Sequence, residues 1–196
     1  MPQVTPNILK ETARGIDCIR IEDELLKSRE IFLTDAVDAE SMNSLFKQLL
    51  FLVRDDPTGE ITLYINSPGG EVRSGLAVYD FRKMVRTPIR TVCVGTAASM
   101  GAILFLAGTK REMLPHAQLM IHDPAPGGGS MEGMKPAQMA ERLKSLQKVQ
   151  TVLCDLIAET TGHTSEEVQA LTCNDTYFDA KEAVAFGLAT AIATEF

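Results

Sequence analysis

Ser99 is the first residue whose surroundings suggest chemistry. It follows a β-rich run and precedes an apolar stretch, within the small-residue segment Gly95–Ala102. A serine at the start of a helix, among small neighbours, resembles a nucleophile turn in its logic, although the GxSxG pattern is absent. The next amide, that of Met100, would point toward an anion and could bind a developing oxyanion. The structural alternative is a helix-capping serine beside a packing contact.

Two further segments offer complementary groups. Gly69 and Gly70 follow an apolar run, and glycines there let backbone amides approach a ligand without a Cβ in the way. Gly70 could therefore supply a second oxyanion donor, although a tight turn would explain the pair equally well.

His122 closes the apolar run that starts at Leu119, and histidine is the commonest general base near neutral pH. The structural alternative is a hydrogen-bonded core or edge histidine.

A carboxylate that orients the imidazole is not determined by these residues. Asp123 adjoins His122, but successive residues on a strand point to opposite faces. Asp175 and Asp179 lie in a later segment that could return to the site. The chain order Ser, His, Asp is acceptable because catalytic triads recur in several orders, so all three carboxylates stay open at this point.

The elements that must position these groups alternate along the chain. Short apolar runs predict strands at Ile31–Leu33, Ile61–Ile65, Thr91–Val94 and Leu119–His122, with turns at Asn66–Gly70 and Gly95–Gly101 and a loop at Asp123–Lys135. Apolar residues spaced three to four apart predict one helix that begins after an Asp38 cap and another from Pro136 to about Thr160. Two further helices are predicted to end at about Val85 and at Leu106, and one more to begin near Ser165. Such alternation indicates an α/β fold with a largely parallel sheet, which binds ligands at the carboxyl ends of its strands.

Composition excludes several classes of protein. The chain has 196 residues, a net charge of −7 and no Lys/Arg cluster, which argues for one domain and against nucleic-acid binding. Its longest apolar stretch, Ala97–Gly108, is shorter than the roughly 20 residues that cross a bilayer. The first residues lack the features of a secretory signal. Four widely spaced cysteines suggest free thiols in a reducing cytoplasm, with no metal site.

Together the three segments resemble a known family. Tyr64–Gly70, Gly95–Ala102 and Met120–Pro124 are similar to the three signature segments of the proteolytic subunit of Clp protease (ClpP), in the same order. The similarity extends from about Glu11 to Leu188, which is nearly the whole chain. Any one segment is moderately specific, whereas all three in order are strongly so.

The resemblance implies a serine endopeptidase with a crotonase-like α/β fold of repeated ββα units and a long handle helix. Carried over by position, it implies Ser99 as nucleophile, His122 as general base and Asp175 as the orienting carboxylate. It assigns the oxyanion-hole amides to Gly70 and Met100. No cofactor and no metal are implied.

The resemblance also implies an organisation and an assembly. Residues 1–20 would form a peripheral axial segment and residues 21–196 a single protease domain, with the Gly-rich loop and the handle helix at about 124–160. Two heptameric rings would form a homo-oligomeric tetradecamer in the cytoplasm. A AAA+ unfoldase of the Clp family would feed it unfolded proteins and peptides for ATP-dependent quality control.

Four features depart from the family pattern, and one of them is Thr62, at a position often held by tyrosine in the apolar docking pocket for the unfoldase. Asp123 replaces the usual glutamine after the histidine, and the segment 125–135 is several residues longer than usual. Cys173 and Asn174 stand where the family often carries charges that pair across the rings. These changes keep open the alternative of a regulatory or structural paralogue in a hetero-oligomeric ring. An acyl-CoA enzyme of the wider crotonase fold is a third candidate, but it would leave the pairing of Ser99 with His122 unexplained.

Overall fold

The computed structural model describes residues 5–13, 15–125 and 133–195. The strands are β1 (Asn7–Thr12), β2 (Gly15–Arg20), β3 (Glu30–Leu33), β4 (Ile61–Ser67), β5 (Ile89–Ala98), β6 (Lys110–Met113), β7 (Gln118–Ile121), β8 (Thr176–Asp179) and β9 (Ala191–Ile192). The helices are α1 (Ile21–Lys27), α2 (Ala39–Asp55), α3 (Val72–Met84), α4 (Met100–Leu106), α5 (Pro136–Thr161), α6 (Ser165–Thr172) and α7 (Ala180–Phe186). The expected α/β class and the long helix after Pro136 are confirmed.

The main sheet runs β3-β4-β5-β6-β9, and a second branch leaves β5 through β7 to β8. The pairs within the five-stranded path are parallel, as is β5 with β7. The pair β7 and β8 is antiparallel, so the expectation of a largely parallel sheet holds with this exception. A separate antiparallel hairpin, β1–β2, lies within residues 1–20, a segment in which the sequence shows little periodicity.

The predicted turn at Gly95–Gly101 is wrong in its first half. β5 continues to Ala98, pairing with β6 over residues 90–93 and with β7 over residues 96–98. Between these two halves the register against β4 shifts, and the Asn66 side chain accepts a hydrogen bond from the Thr96 amide at 3.0 Å. A β-carbon at Gly95 would lie 2.6 Å from that Asn66 oxygen. The glycine therefore marks an irregularity that redirects the strand and does not end it.

Helix α2 shows how local sequence and packing agree. Asp38 caps it as predicted, accepting from the Ser41 amide at 2.8 Å while the Ser41 hydroxyl accepts from the Asp38 amide. Its apolar face, which includes Leu45, Leu49 and Leu52, is buried against the sheet. Strands β6 and β8 were missed because Lys110–Met113 has a single apolar residue and Thr176–Asp179 begins and ends with polar residues, so neither contains the apolar run that predicted the other short strands.

The long helix α5 is buried only near its C-terminal end, where Leu153, Cys154, Ile157 and Ala158 join the core. Of the apolar residues earlier in the helix, Leu143 is 55% exposed, whereas Met139, Leu146 and Val149 are partly buried. The helix ends at Gly162, whose φ of +81° is typical of a left-handed helix cap. Most of the loop predicted at Asp123–Lys135, namely residues 126–132, lies outside the described residues. None of the described helices is long and apolar enough to cross a membrane.

Replacing Leu49 by alanine should destabilise the fold by about 2–5 kcal/mol, because the side chain is 1% exposed and its removal leaves a cavity. Urea denaturation of each variant gives its free energy of unfolding and so measures the loss of stability. Phe51→Ala, on the exposed face of the same helix, is the control and should change stability by no more than about 0.5 kcal/mol. Equal losses for both variants would contradict this account of the core.

Candidate active site

Ser99 joins the end of β5 to the start of α4. Its φ of +53° is strained for a residue with a side chain, and among the described residues only Arg29 shares a positive φ outside glycine. The Ser99 amide donates to the Met120 carbonyl at 2.8 Å, while the Ser99 carbonyl accepts from the Ala102 amide at 3.0 Å. The sheet thus holds one side of the residue and the helix holds the other.

Small residues make this turn possible. A β-carbon at Gly69 would lie 2.5 Å from the Ala98 carbonyl oxygen and 2.8 Å from both the Met100 amide nitrogen and the Ser99 β-carbon. One at Gly101 would lie 3.0 Å from the Ser67 carbonyl oxygen. The loop after β4 therefore packs directly on the serine turn, which is how the two Gly-containing segments come together.

His122 lies one residue beyond β7. Because β5 and β7 are parallel, with Ala98 opposite Met120, both strands deliver their next residues to the same edge of the sheet. The His122 Nε2 lies 2.9 Å from the Ser99 Oγ, a hydrogen-bond distance. The pairing of hydroxyl and imidazole expected from the sequence is present.

The antiparallel strand β8 brings Asp175 to the other imidazole nitrogen. Ile121 pairs with Thr176, so one further step in that register sets His122 opposite Asp175. The Asp175 Oδ1 lies 3.2 Å from the His122 Nδ1. The sequence could not choose this carboxylate because it depends on a four-residue strand paired across more than fifty residues.

The two other candidate carboxylates have different partners. Asp179 caps α7, accepting from the amides of Lys181 and Glu182 at 2.8 Å each. Asp123 accepts from the Gln150 side chain at 2.7 Å, and its own amide donates to the Thr172 carbonyl. Gln150 was not singled out in the sequence, where it is one polar residue among many on a long helix.

The two expected oxyanion donors are the amides of Met100 and Gly70. Met100 is the first residue of α4, so its amide has no acceptor within the helix. Gly70, at φ +149°, forms a bridge with Val37, and a β-carbon there would lie 2.2 Å from the Val37 carbonyl oxygen. Val37 also donates to the Gly69 carbonyl and accepts from the Glu71 amide, which fixes the loop from both sides. Nothing in the sequence around Val37 signals this role.

A cavity opens beside Ser99. Its lining includes Met100, Ile103, His122, Asp123, Gln150 and Cys154. Cys154 is a second potential nucleophile, but burial raises the pKa of its thiol, so it is held as the less reactive neutral form. Across the described ranges, no group of three or more His, Cys, Asp or Glu residues is arranged to hold a metal ion.

The arrangement can support nucleophilic catalysis. A hydroxyl lies within hydrogen-bond distance of an imidazole, a carboxylate oxygen lies 3.2 Å from the other imidazole nitrogen, and the first amide of α4 is next to the hydroxyl. This series can remove the proton from the serine as it attacks an acyl carbon. The Asp175 side chain is 59% exposed and that of His122 27%, so the carboxylate is the more solvent-exposed of the two groups.

A family model described as Clp protease matches residues 13–196, which is all of the chain except its first twelve residues.

Gly69→Ala should disrupt the serine turn, because its φ of +87° and the contact with Ala98 both oppose a β-carbon. We expect labelling of Ser99 by a fluorophosphonate probe to fall at least about 10-fold, as small displacements at a reacting centre cost that much or more. Gly133→Ala, at φ +79° but with no atom of the described residues within 4 Å of its β-carbon, is the matched control and should label normally. Normal labelling of Gly69→Ala would contradict the packing described.

Proposed function

The chain belongs to the Clp protease family, and from this premise we propose that it is a serine-type endopeptidase with Ser99 as nucleophile, His122 as general base and Asp175 as the orienting carboxylate. The observation that carries the proposal is the contact series at Ser99: 2.9 Å from hydroxyl to imidazole and 3.2 Å from imidazole to carboxylate. A series of this kind at a strained backbone position is costly to maintain without a function. Family membership independently supports a peptidase of the ClpP type.

The reaction proposed is acyl transfer. The His122 imidazole accepts the Ser99 hydroxyl proton as the oxygen attacks the peptide carbonyl carbon. The resulting imidazolium donates that proton to the leaving amine, and the acyl group remains on Ser99. Water, deprotonated by the same imidazole, then attacks the acyl-enzyme and restores the serine.

The oxyanion of each tetrahedral intermediate is assigned to the amides of Gly70 and Met100. Each such donor typically stabilises the transition state by about 3 kcal/mol. Support for this assignment comes from the free first amide of α4 and from the way Val37 fixes the Gly70 loop against the serine turn. Preorganised amides of this kind need no rearrangement when the charge develops.

Asp175 is a positioning group in this scheme. Its oxygen accepts the Nδ1 proton, which leaves the lone pair of Nε2 directed at the Ser99 hydroxyl. It also stabilises the imidazolium that forms during the reaction. Its exposure to solvent does not prevent this, because the interaction depends on orientation as well as on charge.

We propose further that the protein acts in the assembly typical of its family. The family implies ring assemblies with Clp ATPases, and the expected form is a cytoplasmic tetradecamer of two heptameric rings that receives unfolded chains from a AAA+ unfoldase. The exposed apolar residues of α5, Leu143 and Val152, support burial of this helix by another subunit. Exposed Leu9 and Ile16 on the β1–β2 hairpin support a role for the N-terminal segment in contacts at the axis. Enclosure would make access, and not the intrinsic chemistry, the selective step.

Ser99→Ala should abolish hydrolysis of short fluorogenic peptides, lowering kcat by at least about 10⁴-fold, because it removes the only atom that attacks the carbonyl in this scheme. Ser44→Ala, on the exposed side of α2, is the control and should retain full activity. Peptide hydrolysis is the readout, with solution mass to verify that assembly is unchanged. A purified protein that neither cleaves peptides nor labels at Ser99 would instead favour the regulatory paralogue.

Asp175→Asn should lower kcat by about 10²- to 10⁴-fold with little change in KM, because the amide no longer fixes the productive tautomer of His122. Asp179→Asn is the matched control, since asparagine also caps helices and Asp179 does not reach the imidazole. Steady-state kinetics on one peptide compares the two. If Asp179→Asn were the more damaging variant, the assignment of Asp175 would be wrong.

A further inference from the structure

Asp123 lies directly after His122 and connects it to two other segments. Its amide donates to the carbonyl of Thr172, the last residue of α6, at 2.7 Å. Thr172 precedes Asp175 by three residues, so this bond joins the segments that carry the imidazole and its carboxylate. The Asp123 Oδ2 accepts from the Gln150 Nε2 of α5, also at 2.7 Å. The chain that leaves His122 is therefore held by two helices.

Gln150 lies where α5 joins the core. Earlier in the helix Leu143 is largely exposed, whereas Leu153 and Cys154, which follow Gln150, are buried. Gln150 itself is half-buried and lines the cavity beside Ser99. Since the backbone of a helix is internally hydrogen-bonded, the position of α5 determines where this side chain begins. The amide thus reaches Asp123 from a direction that the helix fixes.

The surroundings favour a strong hydrogen bond between these two side chains. Apolar residues, including Ile103, Leu153 and Ile157, line the same cavity. Its free space is about 20 Å³, which is room for about one water molecule. A carboxylate forms a stronger hydrogen bond than a neutral acceptor does, and an apolar setting adds to the difference. The contact is therefore a specific link between α5 and the residue after the general base.

His122 depends on such a link because it lies beyond the end of β7, whose last residue is Ile121. Its imidazole must keep one nitrogen 2.9 Å from the Ser99 Oγ and the other 3.2 Å from the Asp175 Oδ1. Catalytic groups work only when they are held within about 0.5 Å of the productive geometry. The strand holds the backbone on one side of His122, and Asp123 holds it on the other.

We propose that Asp123 and Gln150 form a positioning pair that keeps His122 within reach of Ser99. The inference rests on the proposed serine peptidase function. The pair acts through the backbone of His122 and takes no part in the proton transfers. It makes the chemical step depend on the position of α5, because Gln150 moves with that helix.

The first test replaces the donor of the pair. Gln150→Glu sets two carboxylates against each other, and displacement of a catalytic group by about 1 Å can reduce the rate about 100-fold. We expect kcat for a fluorogenic peptide to fall at least about 10-fold while KM stays within about 2-fold, since the chemical step and not binding is affected. Asp123→Asn retains an acceptor for Gln150 and should lower kcat by no more than about 5-fold, the difference between a charged and a neutral hydrogen bond.

The reversed pair, Asp123→Asn combined with Gln150→Glu, is the decisive variant. Its new amide donates to its new carboxylate, so the hydrogen bond returns with donor and acceptor exchanged. We expect kcat to recover at least about 5-fold relative to Gln150→Glu alone, a coupling typical of side chains in contact. Without recovery, loss of this contact is not what lowers kcat, and the proposal is overturned.

Two further variants serve as control and replacement. Gln147→Glu makes the same chemical change about one turn earlier, at an exposed position of α5, and should leave kcat unchanged. Gln150→Met keeps the length of the side chain without the donor and should lower kcat at least about 5-fold. It replaces Gln150→Glu should that variant fail to fold.

Activity is expressed per assembled subunit, with solution mass measured on each variant. A merely structural pair would reduce the amount of assembled protein and leave this kcat unchanged, which would overturn the proposal. A rise in KM at unchanged kcat would do the same, because it would place the pair in substrate binding.

The outcome also distinguishes this inference from the proposed function beneath it. Cleavage that depends on Ser99 but is unaffected by Gln150→Glu and Gln150→Met refutes the positioning pair and leaves the peptidase assignment intact. Absence of Ser99-dependent cleavage in the unsubstituted protein, together with no fluorophosphonate labelling, refutes the peptidase assignment itself.

Discussion

The backbone of Ser99 is the constraint on which the site depends. A side-chain-bearing residue at φ +53° is stable only where its surroundings leave no alternative. Here the Ser99 amide donates to the Met120 carbonyl in the sheet, and the Ser99 carbonyl accepts a hydrogen bond from the first turn of α4. All seven residues of α4 are buried, so the helix cannot shift to relieve the strain. The core therefore stabilises a conformation that an isolated chain would avoid.

The branching of the sheet at β5 supplies the other groups. Its first half extends the sheet through β6 and β9, and its second half starts the separate branch of β7 and β8. That branch places His122 just after β7, which runs parallel to β5, and Asp175 just before β8, which pairs antiparallel with β7. One irregularity in the pairing of β5 with β4, at Gly95 and Asn66, thereby sets the relative position of three side chains from distant parts of the sequence.

Local patterns predicted what local forces determine. The cap at Asp38, the apolar face of α2 and the strand-turn-helix units around Gly70 and Ser99 all follow from spacing and residue type. The choice of Asp175, the clamp by Val37 and the contact of Asp123 with Gln150 do not, because each depends on pairing between segments far apart in the chain. From the residues alone the choice of the orienting carboxylate stayed open, and the family resemblance, not periodicity, pointed to Asp175.

The cavity contains two potential nucleophiles, and their surroundings explain why only one is suited to catalysis. A thiol is intrinsically more nucleophilic than a hydroxyl once it is ionised. Burial, and to a smaller extent the nearby carboxylates of Asp123 and Asp155, nevertheless raise the pKa of the Cys154 thiol and outweigh the opposite effect of its contact with the Thr172 hydroxyl. Ser99 has the weaker group but lies 2.9 Å from an imidazole that can accept its proton during attack. Since the base acts only at the moment of reaction, the hydroxyl never needs to ionise in advance, and a buried thiol without such a base has no equivalent route.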